Sequence, residues 1–186
     1  MKVSLILFFV LSVLCCSHVE NDNKKLENPF SFKNDKKKYR LLIFDSQNAE
    51  PYTSARIALI KTLKSYGLEK GKNLIFKYHS IGNNVERGKE LLRSELRKSP
   101  NTRVIFINGT IMSIAAKQLI FNNKKYKVVF SCVTDPVGVG LVKDMSSPPF
   151  SNFTGVSYPV PVKSRFNFIK ELKPDIKRIG LIYADM

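Results

Sequence analysis

The sequence reads as an α/β protein built on a doubly wound parallel sheet, and three observations lead there. From residue 39 onward, short apolar runs alternate with longer amphipathic segments in the order β-α-β-α-β-α-β. The runs are nearly continuous in apolar character, as strands covered by helices on both faces must be, whereas a sheet wet on one face would alternate. Each run gives way to polar residues, which parallel strands would deliver to one shared edge. Right-handed crossovers then leave few topologies.

Taken in order, residues 1–15 look like an export signal. Lys2 is followed by an apolar stretch at 3–14 that is shorter than the roughly 20 residues a membrane-spanning helix needs. Residues 16–38 are rich in Asn, Lys, Glu and Asp without apolar periodicity, so they are expected to be a flexible tether. Residues 39–44 form the first strand candidate, ending in Asp45, Ser46, Gln47 and Asn48. Pro51 opens a helix reaching about residue 66, with Ile57, Ile60 and Leu63 on one face and Gly67 as its stop. A strand follows at 73–79. Residues 85–98 form a charged helix whose apolar stripe is Val85, Leu91, Leu92 and Leu96, with Pro100 just past its end.

The third strand is expected at 102–108, a third helix at 110–121 and a fourth strand at 127–133. After a Ser-Ser-Pro-Pro loop at 146–149 come a short apolar piece at 153–157 and a helix at 162–172 that Pro174 stops. Residues 178–183 then read as the start of another strand. A strand opening a second β-α series, with little chain after it, suggests a second lobe that is truncated.

Composition narrows the function classes. Of the 186 residues, 44% are hydrophobic and 25% charged, enough apolar material for one domain core and the beginning of another. The formal net charge of +16 would raise nucleic acid as a partner, but the lysines scatter through turns and element edges without interleaved aromatics. They read as a solvated basic surface, and no nucleic acid is expected. His18 and His79 stand apart from any other metal-ligating residue at suitable spacing, so neither a metal nor a cofactor is implied. The chain lacks a nucleophile elbow and a phosphate-binding P-loop, and Gly138-Val139-Gly140 follows the fourth strand without the third glycine of a dinucleotide fingerprint. A binding role rather than catalysis follows.

What remains is polar residues at strand ends. Ser46, Gln47 and Asn48 follow the first strand, Asn108, Gly109 and Thr110 the third, and Ser131, Thr134 and Asp135 the fourth. On one sheet edge they would make a polar pocket for a small ligand, and the helix beginning at Thr110 would offer free N–H groups to an anion such as a carboxylate. Capping and turn chemistry is an equal reason for these residue types at these places.

Two resemblances extend this reading. The end of the N-terminal apolar run, V-L-C-C-S, resembles a bacterial lipoprotein signal, which implies lipid attachment at Cys16, with Cys15 as the alternative. The segments V-V-F-S-C-V-T-D-P-V-G-V-G-L-V, N-F-T-G-V-S and F-I-K-E-L-K-P-D-I-K-R-I-G-L-I-Y resemble the ABC transporter substrate-binding lipoproteins that include tryptophan- and tyrosine-binding members. That resemblance implies a type I periplasmic-binding-protein-like lobe at 39–153, a crossing segment at 154–174 and the first strand of the second lobe at 175–186. It implies a small ligand, an amino acid and possibly an aromatic one, passed to an ABC permease in the membrane. In that picture the Thr110 helix start takes the ligand carboxylate, Ser46, Gln47 and Asn48 its polar groups, and Thr134 and Asp135 its amino end. A ligand-sensing module of a signalling receptor and half of an α/β enzyme are the alternatives. The enzyme would want a glycine loop after the first strand, where this chain has Asp45-Ser46-Gln47-Asn48.

Overall fold

Strands that are apolar on both faces do assemble into a sheet sandwiched between helices. A computed structural model of the chain describes residue 32, residues 36–157 and residues 162–180. The expected signal at 1–15 and most of the tether therefore lie outside the described residues. Strands β1 (Tyr39–Asp45), β2 (Leu74–Ser80), β3 (Val104–Asn108), β4 (Lys127–Ser131) and β5 (Phe153–Gly155) form one sheet in the order β2-β1-β3-β4-β5. Every pairing is parallel. The helices are α1 (Tyr52–Ser65), α2 (Val85–Lys98), α3 (Thr110–Ile120) and α4 (Val162–Leu172).

The interior strand β1 shows why the apolar runs had to be continuous. In β1, Leu42 and Phe44 enter one core with Ile105, Ile107, Val128, Phe130 and the buried faces of α2 and α3. Leu41 and Ile43 point the other way, into a second core with Phe106, Leu74 and the α1 residues Leu59, Ile60 and Leu63. Successive residues alternate faces, so both faces being dry requires every residue to be apolar. Each such side chain taken fully out of water contributes about 1.5–3 kcal/mol, which makes β1 the largest single contributor to the sheet.

The helices differ in how closely they pack. Asn84 caps α2 by accepting a hydrogen bond from the Arg87 backbone N–H at 2.9 Å, a contact of the kind whose loss costs about 1 kcal/mol. Within α2, Gly88 lies where a methyl group would come within 3.0 Å of Ala115 Cβ. Small residues at both positions thus let α2 and α3 close on each other. By contrast α1 and α4 contain no fully buried residue.

Four expectations are revised. Ile57 was expected on the packed face of the first helix, yet it is 58% exposed, because the face that meets the sheet runs through Leu59, Ile60 and Leu63. The fourth strand stops at Ser131 rather than 133, since Cys132 takes a left-handed φ of 55° that breaks the pleat. The apolar piece at 153–157 contributes the edge strand β5, so the sheet has five strands. Gly155 permits it: a Cβ there would sit 2.2 Å from the Phe130 carbonyl oxygen. Residues 178–180 of the expected last strand have no regular structure, and 181–183 lie outside the described residues.

One buried contact makes stability depend on pH. His79 of β2 stacks on Phe44 with ring centroids 5.3 Å apart, and its Nε2 stands 3.6 Å from Glu95 Oε1. Burial holds the His79 pKa below its ordinary 6.5, against the upward pull of the Glu95 carboxylate. As pH falls through that ordinary value the unfolded imidazole takes up a proton that the folded one resists, so stability is lost as pH falls below it. Urea unfolding between about pH 8 and about pH 5.5 should show this decline, and His79→Leu should flatten it.

Candidate ligand-binding site

Parallel register brings the strand ends abreast. Asp45 pairs with Ser80 of β2 and with Asn108 of β3, and Asn108 pairs with Ser131 of β4. Four polar residues thus form a row across the carboxyl edge of the sheet. The strand order turns back between β1 and β3, the topological switch point outside which open α/β sheets bind ligands.

At the switch point lies a fully buried carboxylate. Asp45 accepts from Arg56 Nε at 2.9 Å on one oxygen and from Asn108 Nδ2 at 2.7 Å on the other. Arg56 reaches it from the second turn of α1, and its guanidinium lies 3.9 Å over the Tyr78 ring. The Tyr78 hydroxyl in turn donates to Asn48 Oδ1 at 3.3 Å. Burial raises the Tyr78 pKa, and the nearby Asp45 carboxylate adds to the rise, so the phenol stays a proton donor.

Ser46 is spent inside this framework, as are the Asn108 amide N–H and backbone carbonyl, while the buried Asn108 Oδ1 has no partner among the described residues. The Ser46 hydroxyl donates to the Asn108 carbonyl at 2.9 Å and accepts from the Met112 N–H at 3.0 Å, so it satisfies one open donor of the first turn of α3 from outside the helix. Gly109 begins that helix with φ 92°, and a Cβ there would lie 2.5 Å from Ser46 Oγ and 2.6 Å from the Tyr52 ring. Only glycine meets both demands. Among the described residues the Thr110 and Ile111 N–H groups have no partner, so the positive end of α3 keeps two open donors. Gln47 accepts from Asn83 Nδ2 at 2.8 Å, tying the β1 loop to the β2 loop.

Beside the switch point lies a cavity of about 580 Å³, lined by Pro51, Ser131, Cys132, Val133, Thr134, Val156 and Ser157. Of the nine residues expected to bind ligand, Ser131 and Thr134 line it. Asp135 does not; its Oδ1 accepts from the Gly138 N–H at 2.8 Å and so closes the turn after β4. Tyr52 packs between the cavity and the buried Asp45. Burial raises its pKa, with Cys132 and Asp45 adding to the effect. The lining mixes apolar Pro51, Val133 and Val156 with hydroxyls, a surface suited to a small amphipathic molecule. Among the described residues no group of three or more His, Cys, Asp or Glu is placed to hold a metal.

Sequence reasoning passed over Asp45, Arg56, Tyr52 and the β5 end at Val156 and Ser157. A signal existed for Arg56: it is four residues after Tyr52 and so shares a helix face with it at the mouth of the switch point. For β5 the signal was the short apolar piece at 153–157, too short to show a period, so its place at the sheet edge could not be read from it.

An α/β lobe with open N–H donors at a helix start beside a strand-end cavity describes the class of ligand-binding lobes. Residues 50–186 match the family model described as ABC transporter substrate binding protein, and the chain belongs to that family. It is 28% identical over 185 residues to a tyrosine-binding protein of Clostridioides difficile, matching 97% of this chain and 51% of that protein. The chain therefore spans about half the length of this curated relative. Among solved structures, a conserved domain protein from Vibrio cholerae is 29% identical with a TM-score of 0.67, over 75% of this chain and 45% of its own. The fold is shared with an ABC domain in complex with L-Trp from Streptococcus pneumonia, at 20% identity and a TM-score of 0.61, over 75% of this chain and 45% of that one.

Arg56→Ala should leave Asp45 buried with only an amide for company. The expected loss in urea unfolding is about 3 kcal/mol, the lower end for breaking a buried pair, because Arg56 is already 20% exposed. Adding Asp45→Asn removes the orphaned charge and should recover part of that loss.

Proposed function

We propose that this chain forms the N-terminal lobe of a substrate-binding lipoprotein of an ABC importer, which captures a small ligand, an amino acid, and delivers it to a membrane permease. The observation that carries this reading is the pairing of an open helix N-terminus, at Thr110 and Ile111, with a strand-end cavity of mixed apolar and hydroxyl lining. Free N–H groups at a positive helix end suit a carboxylate. An apolar wall beside them suits a side chain, and the tyrosine-binding relative makes an aromatic one the first choice.

In this reading the α3 start holds the ligand carboxylate. Ser131 and Thr134 meet its polar groups from the cavity, Gln47 and Asn48 from the rim, and Asp135 takes the amino end once its turn opens. Ser46, Asn108 and Gly109 act by holding α3 in place. Residues 39–153 are the lobe, 154–174 the crossing segment and 175–186 the entry to a second lobe that closes over the ligand by a hinge. The chain does no chemistry on what it binds. Residues 1–15 direct export, and acyl chains on Cys16 hold the protein at the membrane by way of the tether at 16–38.

Calorimetric titration tests the ligand. L-Tyrosine and L-tryptophan should bind about tenfold more tightly than L-alanine, the gain expected when part of an aromatic ring leaves water. Equal heats for all three, or none, would count against an amino-acid site. Metabolic labelling with a radioactive fatty acid tests the anchor: Cys16→Ala should abolish incorporation, and label persisting in that variant but lost in Cys15→Ala would move the attachment to Cys15.

A further inference from the structure

All-parallel strands have a second edge, opposite the crevice, where every strand begins. At that edge basic residues gather from segments far apart in sequence. Arg40 is the second residue of β1, Lys70 lies four residues ahead of β2, Arg103 just before β3 and Lys127 at the start of β4, and all four are exposed. Among the described residues none of them has an acidic partner within ion-pair distance. The acids at this end, Glu69 before β2 and Glu95 in the last turn of α2, are already engaged, Glu69 by Lys64 at 3.2 Å and by Lys72, and Glu95 by Lys77 at 2.8 Å. At the crevice edge Asp45 ends β1 and is paired with Arg56, Glu86 in the first turn of α2 is paired with Lys89, and Glu50 and Asp135 lie in the loops that follow β1 and β4. Basic residues that look scattered in sequence are thus brought together by the topology, four of them at strand starts without an acidic partner among the described residues.

The same edge holds a groove. Between the ends of α2 and α3 lies a cavity of about 370 Å³ in which Arg93, Arg97 and Lys125 stand around Leu96, Leu119 and Tyr126. Cationic groups above an apolar floor match a phosphate joined to hydrocarbon. Tyr126 is only 7% exposed, so the groove offers no aromatic face on which a nucleic-acid base could stack. Residues 36–38 lead into β1 at this edge, so an anchor upstream would be joined to the lobe on its basic side.

We infer that the strand-start edge is a docking surface for an anionic phospholipid membrane, with the groove between α2 and α3 receiving a headgroup phosphate. Each basic residue near such a surface strengthens attachment by about fivefold, so a handful suffices for a second, electrostatic hold. The lobe then lies with its crevice turned away from the lipid. This inference rests on charge layout and the groove, and it stands or falls separately from the amino-acid site.

Sedimentation of the full chain with vesicles tests it, using phosphatidylcholine alone and phosphatidylcholine with about 30% phosphatidylglycerol. The expected result is tighter binding to the anionic vesicles, weakened by salt. Arg93→Gln with Arg97→Gln and Lys125→Gln should reduce it by about fivefold per charge, and Lys127→Glu, at a different strand start, should weaken it independently. Arg87→Gln with Lys143→Gln, which lower net charge away from the groove, should change it little, and circular dichroism melts check that all variants are folded. Equal binding to both vesicle types would overturn the inference, as would equal loss in the control variant. So would displacement of the chain from vesicles by a single-stranded oligonucleotide that it binds more tightly.

Discussion

The buried Asp45 carboxylate is the constraint on which the crevice depends. A charge with no exposure at the end of the interior strand β1 is tolerable only if both oxygens are matched, and the match comes from two other elements. Arg56 commits α1 to its position over β1, and Asn108 commits the end of β3. Once Asn108 is fixed, its carbonyl orients Ser46, and Ser46 in turn holds the first turn of α3 through Met112. One compensated charge therefore sets where the open end of α3 points.

This arrangement separates the residues that build the site from those left to meet a ligand. Ser46, Asn108 and Gly109 are committed to internal contacts or close packing, which leaves the Thr110 and Ile111 amides, the Thr134 side chain and the cavity wall open, with the Ser131 hydroxyl against Cys132 Sγ at 3.6 Å. A binding lobe gains from this division, since donors held in place beforehand lose little freedom when a ligand arrives. The Asp135 turn is held separately, by its Gly138 contact and by backbone hydrogen bonds from Val139 to Asp135 and from Leu141 to Pro136.

How much of this could be read from sequence depended on the range of the interaction. The strands of the doubly wound sheet were legible because burial on both faces leaves a local mark: uninterrupted apolar runs such as L-L-I-F at 41–44. The exposure of Ile57 was not, because helical periodicity offers several neighbouring faces and only the crossing of α1 over β1 selects one. The polar residues at strand ends were visible as types, but whether Ser46 meets a ligand or a helix 66 residues away is decided by register. Arg56 was hidden for a similar reason: it looks like any surface cation on a charged chain until Asp45 is known to be buried beneath it. The gathering of basic residues was the least legible of all, since it exists only once parallel strands have collected their starts along one edge.

The central claim is that the open N–H groups at the start of α3 and the adjacent cavity form one binding site. Amide chemical shifts of the nitrogen-15-labelled chain, followed while L-tryptophan is added, test it most directly. The account predicts that the Thr110 and Ile111 amides move together with those of residues 131–134 and 156–157, while the strand-start residues Arg103 and Lys127 stay still. Shifts confined to other regions, with Thr110 and Ile111 unmoved, would contradict it.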